Sequence, residues 1–367
     1  MKLLVLAQTP PPVHGQSLMV QTLLDGLPAP GLAVHHVNLG LSRDTADIGH
    51  WRPGKIAATF GAALRAIAAR FRHGCDTLYY VPAPGKRGAL YRDWLVLALC
   101  RPFFKKLVLH WHATGLGTWL ETEGNALERA LTRALLGRAD LSLVLADELR
   151  ADAEYLRARR IAIVPNGLAD PAASWAPRVP RAAGEPCEIL FLGLGSHAKG
   201  LFATLDALAI ANQREPAAFR LTFAGGFASA QDEREFQARA ASLGAAVRQV
   251  GFANDAQKHA LLARAHVFCF PTRYAHEGQP LVLIEALAHN LPIVTTRWRA
   301  IPGMLPAEGV WFVDAAQPAQ IADALLEARR SAPSDEARRR HYLTHFTREH
   351  HLSALRAALT ALDERSS

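Results

Sequence analysis

Two carboxylates stand in an otherwise apolar stretch, HEGQPLVLIEALAHNLPIV at 276–294: Glu277 precedes a Gly-x-Pro, and Glu285 is embedded among Leu, Ile and Ala. A carboxylate in such surroundings must be hydrogen-bonded or paired, because an uncompensated buried charge is strongly unfavourable. Two partners fit Glu285, the hydroxyl pair of a sugar or ribose, or an arginine in a structural ion pair. A helix starting near Pro280 would leave the amides of Leu281 and Val282 unpaired at its N-terminus, where a phosphate can bind. Gly278 would let another group approach the backbone closely.

A second loop has the same character. In FLGLGSHAKG at 191–200 a strand runs into Gly193 and Gly195, Lys199 stands at a helix entry, and Gly200 follows. Glycine amides and an ammonium group together suit an anionic phosphate. The chain has 34 arginines and only 7 lysines, so a lysine here is not what composition supplies by default. No Gly-Lys-Ser/Thr is present and the glycine spacing misses the dinucleotide fingerprint, which weighs against a P-loop enzyme and an NAD-dependent dehydrogenase.

The N-terminal half offers two more loops. QTPPPVHGQS at 8–17 would open the first helix with Gly15, Gln16 and Ser17. LHWHATG at 109–115 puts His110 and His112 on one side of a strand by alternation, with His112 nearest its carboxyl end. A histidine there can move a proton or hydrogen-bond a sugar. With 16 histidines in the chain, a satisfied structural polar residue is the plainer reading of either one.

These loops need a scaffold that presents strand ends. Strand-like runs KLLVLAQ, LAVHHVNL, DTLYYVP, KLVLHWH, LSLVLA and IAIVP alternate with helical segments at 15–27, 55–72, 87–100, 124–137 and 147–158. Alternation restarts with CEILFLGLG, FRLTFAGG, AVRQVGF, HVFCFP and LPIVTT, separated by helical segments at 200–213, 232–243, 255–264 and 280–289. Such a pattern specifies parallel sheets covered by helices on both faces, and ligands bind such sheets at the carboxyl ends of the strands. The expected organisation is an α/β domain at 1–170, a Pro- and Ala-rich linker at 171–186, a second domain at 187–340, and a terminal helix at 341–367 that can pack on either domain.

Composition narrows the classes. The 367 residues carry a formal charge of +8, and residues 1–170 hold 20 Lys+Arg against 14 Asp+Glu. An N-terminal basic excess suits an anionic substrate or a phosphate-bearing lipid surface, although an Arg-rich surface also serves solubility alone. No interleaved aromatic-basic motif points to nucleic acid. Cys75, Cys100, Cys187 and Cys269 are scattered, without zinc or disulfide spacing. Apolar runs such as WLVLALC at 94–100 fall short of the roughly 18 residues that span a bilayer, so a cytoplasmic protein is expected. The helix at 55–72 carries a row of Ile56, Phe60, Leu64, Ile67 and Phe71. That row serves either an ordinary core-facing helix or a helix docked on an anionic membrane.

Taken together, the glutamate pair, VPNG at 164–167, FLGLGSHAKG and PPPVHGQS resemble glycosyltransferase family 4, the retaining enzymes that use nucleotide sugars. The pieces VGFANDAQKHALLARAHVFCFP and RAIPGML follow in the same order, so the resemblance covers nearly the whole chain. It implies the GT-B fold, two doubly wound Rossmann-like domains facing a cleft. It implies transfer of a sugar from a nucleotide diphosphate donor, such as a UDP-sugar, to a glycan, lipid-linked or small-molecule acceptor in cell-surface polysaccharide or glycoconjugate synthesis. Related GT-B chemistries are a sugar-nucleotide epimerase or a phosphorylase, and a catalytically silent nucleotide-sugar-binding subunit is the non-enzymatic alternative.

Residue by residue, the resemblance implies that Glu277 contacts the donor sugar, with backbone groups of Gly278, Gln279, Leu281 and Val282 on sugar and diphosphate. Glu285 would hold the ribose, and Lys199 would neutralise the diphosphate beside Gly195. His112 would lie beside the reacting sugar, Gly15 and Gln16 would touch phosphate and acceptor, and Ser17 and His110 are further acceptor candidates. No metal or other cofactor is expected. Many members carry an arginine where this chain has Leu194, so Arg273 is the candidate for the second cation. Asn290 replaces the usual glycine at a helix end and can adopt the left-handed conformation needed there. Localisation is expected to be cytoplasmic, with peripheral contact at the inner membrane face left open.

Overall fold

The computed structural model describes residues 1–40, 53–171, 181, 182, 184–331 and 336–364. Most of the expected linker at 171–186 lies outside the described residues. The chain divides into two compact units, Met1–Gly167 with His276–Gln279 and Arg348–Ser367, and Leu168–Ala275 with Pro280–Thr347.

The first unit is built on six parallel strands, β1 (Lys2–Ala7), β2 (Ala33–Asn38), β3 (Thr77–Tyr80), β4 (Lys106–Trp111), β5 (Leu141–Val144) and β6 (Ile161–Ile163). Their order is β2-β1-β3-β4-β5-β6. Its helices are α1 (Gly15–Gly26), α2 (Pro53–His73), α3 (Arg87–Cys100), α4 (Leu116–Thr122), α5 (Ala126–Leu135) and α6 (Ala151–Tyr155). Strands such as β3 and β5 are buried at every residue, as expected where helices cover both faces and the apolar run is continuous.

The second unit repeats the plan with β7 (Cys187–Leu192), β8 (Phe219–Ala224), β9 (Val247–Gly251), β10 (Val267–Phe270), β11 (Ile293–Thr296) and β12 (Val310–Val313), in the order β12-β11-β10-β7-β8-β9. Its helices are α7 (Leu201–Arg214), α8 (Ala230–Leu243), α9 (Asp255–Arg264), α10 (Leu281–Ala288), α11 (Ile301–Met304), α12 (Pro318–Arg330) and α13 (Ala337–His345). The chain leaves β7 toward β8 and β9, then returns to add β10, β11 and β12 on the other side. The carboxyl ends of β7 and β10 therefore flank a topological switch point, and those of β1 and β3 flank the equivalent point in the first unit.

The C-terminal tail departs from the expected single helix at 341–367. It breaks at Phe346 and Thr347, where Thr347 bridges to Leu168 and the Phe346 carbonyl accepts from the Leu168 amide at 2.9 Å. α13 stays with the second unit, and α14 (Arg348–Glu364) belongs to the first, where Leu352, Leu355, Leu359 and Leu362 join Leu3, Val5, Tyr79 and Val108 in one core cluster. In α13 the buried Arg338 and Arg339 donate to the carbonyls of Asn290 and Ala288 at the end of α10. Asn290 has φ 54°, the left-handed cap that its side chain tolerates.

α2 turns a different face inward from the one its large residues mark. Thr59, Ala62, Ala63 and Ala66 are buried, and the three alanines pack with Leu4, Leu6 and Val37, whereas Ile56, Phe60, Leu64 and Phe71 are exposed. The core-facing reading of the Ile56–Phe71 row is thus corrected for four of its five residues: close packing of the helix on β1 and β2 favours small side chains, and of the bulky row only Ile67 packs, half-buried, on the core. Among the described residues no helix is long and apolar enough to cross a membrane.

α14 supplies a whole apolar row to the first unit, so removing one of its fully buried leucines creates a cavity under β1 and β3. Leu355→Ala should lower unfolding free energy by about 2–5 kcal/mol in urea titration. A loss below about 0.5 kcal/mol would show that α14 is not part of that core.

Candidate functional site

In the second unit the loops that leave β7 and β10 lie side by side because their strands pair in parallel, Val267 with Ile189 and Phe268 with Leu190. The first loop is held by Gly193 N donating to Ala224 O at 3.1 Å and Gly195 N donating to Gly226 O at 2.7 Å. A β-carbon on Gly195 would sit 2.8 Å from Phe227 and 2.9 Å from Phe223, so this loop can cross the aromatic cluster only as glycine. At Gly200, with φ 87°, a β-carbon would meet the Pro271 carbonyl oxygen at 2.4 Å. The two loops touch there, and Arg273 N donates to Ala198 O at 2.7 Å.

This contact brings Lys199 and Arg273 into one loop pair. The Lys199 ammonium stands 4.4 Å from the Tyr274 ring centroid and 5.7 Å from that of Phe270, an arrangement in which aromatic faces hold a cation. Arg273 is exposed on the neighbouring loop, and Leu194 is exposed where an arginine was the expected residue. α7 and α10 both start without an acidic residue in the first turn and without a side-chain cap. The amides of Leu281 and Val282 lie in the first turn of α10, where no intrahelical acceptor exists. Pro280 precedes that turn as the cap, with ψ 118°, so the helix starts one residue later than the sequence suggests.

Glu285 is buried in α10, as its apolar neighbours required, and its partner is neither arginine nor any residue singled out from the sequence. Lys258 of α9 places its ammonium 2.5 Å from Glu285 Oε1 and also reaches Asp255 at 3.3 Å. Burial pushes the Glu285 carboxyl above its ordinary range against the pull of Lys258. Burial works the other way on Lys258, but attraction to Glu285 outweighs it and holds the ammonium above its usual value. One lysine does not saturate a carboxylate, which has about four acceptor positions. The signal that could have found Lys258 was available: it is another of only 7 lysines.

The first unit assembles a different set. His110 and His112 have ring centroids 4.2 Å apart, the same-side placement expected from alternation. Tyr79 is fully buried, which raises its phenol, and its hydroxyl is hydrogen-bonded to His110 Nδ1. Burial first, then His351 and His14, push the His112 pKa down to about 3, and burial with His112 and His351 holds His110 well below its ordinary value. The influence of His14 places the entry of α1 near His112.

Segment 276–279 also belongs to this unit. His276 Nδ1–H donates to Thr114 O at 3.0 Å, and Asn166 takes both ends of Gln279, with its amide on Oε1 at 2.7 Å and its Nδ2 on the carbonyl at 3.1 Å. A β-carbon on Gly278 would lie 2.4 Å from the His112 carbonyl oxygen, so only glycine passes there. Glu277 is thereby held buried one residue from the His112 backbone contact. Among the described residues four buried side-chain atoms lack a partner, and three of them, His110 Nε2, His112 Nδ1 and Asn166 Oδ1, are in this cluster.

Three of the expected contact residues are buried. Ser17 is fully buried, and its hydroxyl donates to Pro12 O at 2.8 Å while accepting from the amide of His14 at 3.1 Å. It closes a capping box with His14, and Gly15 and Gln16 remain accessible at the start of α1. His110 is buried beside His112. Gln279 spends its carbonyl on Asn166, which leaves fewer backbone groups for a ligand than expected.

Residues 186–330 match the family model described as Glycosyl transferases group 1. The glycogen synthase of Mycobacterium tuberculosis is 31% identical over 216 residues, 56% of this chain and 50% of the relative, so the chain spans about half the length of the curated relatives it matches. Sucrose-phosphate synthase from Thermosynechococcus elongatus superposes with a TM-score of 0.75 at 17% identity, covering 100% of both chains. The Anabaena protein HepE, solved in complex with UDP, gives 0.68 at 15% identity over 98% of this chain and 100% of that one. The fold is GT-B, two Rossmann-like units with a helical C-terminus.

The neutral histidines have a pH signature. The unfolded chain binds a proton at His112 near the reference value of about 6.5, while the folded chain binds it only near 3. Between those values the unfolded state holds more protons, so stability rises with pH and falls on acidification through that window. Urea midpoints at pH 7 and pH 4.5 should differ less in His112→Asn than in the parent. An unchanged difference would mean that His112 is not buried neutral.

Proposed function

From the premise that residues 186–330 carry a glycosyl transferases group 1 domain, we propose that this chain is a retaining glycosyltransferase. It moves a sugar from a nucleotide diphosphate donor, a UDP-sugar being the first candidate, to a glycan, lipid-linked or small-molecule acceptor in cell-surface polysaccharide or glycoconjugate synthesis. The observation that carries this reading is the loop pair at the β7/β10 switch point. Lys199 stands there between two aromatic rings, and α10 follows with uncapped amides and a buried carboxylate one turn on. A diphosphate meets the ammonium and the amides, and the ribose hydroxyls donate to Glu285, whose charge Lys258 keeps in place.

The first unit contributes Glu277 and His112. Glu277 accepts from hydroxyls of the donor sugar. A histidine with a pKa of about 3 is neutral at pH 7, so His112 acts as a hydrogen-bond partner beside the reacting carbon and not as an acid. The acceptor hydroxyl attacks the anomeric carbon on the face that the diphosphate leaves, and the departing phosphate oxygen takes its proton. That route needs no protein nucleophile, and rate comes from positioning and from Lys199 and the amides stabilising the developing charge. Arg273 is the second cation in place of the absent arginine at Leu194. Gly15 and Gln16 open toward the phosphate and acceptor. The chain functions on the cytoplasmic side, where nucleotide sugars are made.

Incubation with UDP-, GDP- and ADP-sugars, with and without acceptors, should release nucleoside diphosphate, and the product should keep the donor's anomeric configuration. Glu277→Ala and Lys199→Ala should each slow release by roughly 10²–10³-fold while melting near the parent temperature. Full turnover in Glu277→Ala would refute the assignment. Turnover should also survive EDTA, because the ammonium and amides take the role of a cation; its loss, restored by Mg²⁺ or Mn²⁺, would show metal assistance.

A further inference from the structure

Four of the five bulky residues on this face of α2 lie outside the core; only Ile67, in the same row, is half-buried against the first-unit cluster. Ile56 is 51% exposed, Phe60 45%, Leu64 49% and Phe71 66%. At spacings of four, four and seven these side chains form one row, within about 80° of arc at 100° per residue. The row continues off the helix: the Phe71 and Phe103 rings meet edge to face at 5.9 Å, Phe103 is itself 42% exposed, and Arg70 Nε donates to Phe103 O at 2.9 Å. Soluble surfaces rarely leave so many large apolar groups contiguous without a use.

The charge around the row is mostly positive, with Asp76 and Asp140 the acids beside it. Arg65 and Arg72, seven residues apart, directly follow Leu64 and Phe71 and are exposed. Two residues beyond Phe103, Lys105 lines a depression with Arg101, Lys106, Arg138, Arg159 and a single acid, Asp140. Arg159 is paired with Asp140 at 2.9 Å and Lys106 with Asp363 at 3.0 Å, so the rim keeps a positive excess. Arg101 spends its donors on the carbonyls of Leu135 and Gly137 at the end of α5, which fixes the position of its charge.

We propose that α2 and the Phe103–Lys105 corner form a docking surface for an anionic lipid bilayer, with the apolar row entering the headgroup boundary and the cations meeting lipid phosphates. Both terms are required: a helix lying in the interface binds through buried apolar area together with attraction to anionic lipid. The occupant is a membrane and not a protein groove partner because the row is convex on a helix, its flanks are cationic, and the adjoining depression suits phosphates. This inference rests on the first unit alone and is independent of the donor assignment.

Flotation of the full chain with vesicles tests it. Binding to phosphatidylcholine vesicles containing phosphatidylglycerol is expected at 0.1 M salt, with weak binding to phosphatidylcholine alone and release by about 0.5 M salt. Phe60→Ser/Phe71→Ser should bind at least tenfold more weakly, and Arg72→Ala/Lys105→Ala on the order of fivefold more weakly per cation removed. Both variants alter exposed residues, so melting temperature and nucleotide-sugar turnover in solution should match the parent. Absence of binding to anionic vesicles, equal binding to neutral ones, or unaltered binding by both variants would overturn the proposal. So would a parent dimer in analytical ultracentrifugation that Phe60→Ser/Phe71→Ser dissolves, because the face would then belong to a second copy.

Discussion

The carbonyl oxygen of His112 leaves room for a glycine at 278 and for no other residue. From that single contact the chemistry of the first unit follows. The segment 276–279 comes late in the chain yet lies with β4 and the Asn166 turn, held by the two hydrogen bonds between Asn166 and Gln279 and by His276 on the Thr114 carbonyl. Glu277 has no freedom to go elsewhere once its neighbours on both sides are tied. A side chain at 278 would push the segment off the His112 backbone and displace the carboxylate with it.

Burial then decides the state of each titratable group. In the second unit the cost of enclosing Glu285 is offset by Lys258, and the pair stays charged because each partner is held by the other. In the first unit no carboxylate pairs with His110 or His112, so both stay neutral, ordered by Tyr79 and crowded by His351 and His14. One unit therefore offers fixed charge suited to phosphate and ribose, and the other offers neutral donors and acceptors suited to hydroxyls.

Much of this was legible in the sequence, for identifiable reasons. Eleven of the twelve strands were read from the sequence, most of them because a doubly covered sheet demands continuous apolar runs; β12, VWFV, is as apolar and was missed. Gly278 announced close approach, and there a β-carbon would meet the His112 carbonyl; Gly195 and Gly200, read as a phosphate-cradling loop, also stand where a β-carbon would clash. That Ser17 and His110 are buried was not legible from their residue type, because burial is set by neighbours distant in sequence. The Lys258–Glu285 pair was missed because it joins two helices through space, with no local spacing to mark it. The apolar row of α2 was visible, but periodicity cannot tell which side of a helix the alanines will claim.

The central claim is that the second unit binds a nucleoside diphosphate through Lys199 and Glu285, and calorimetric titration of UDP, GDP and ADP tests it without any acceptor or turnover. One of the three should bind with a 1:1 stoichiometry, Lys199→Met should weaken it by at least tenfold, and Glu285→Gln should weaken the nucleoside diphosphate while leaving inorganic pyrophosphate unchanged. Failure of all three nucleotides to bind, or equal affinity in the parent and both variants, would contradict the account.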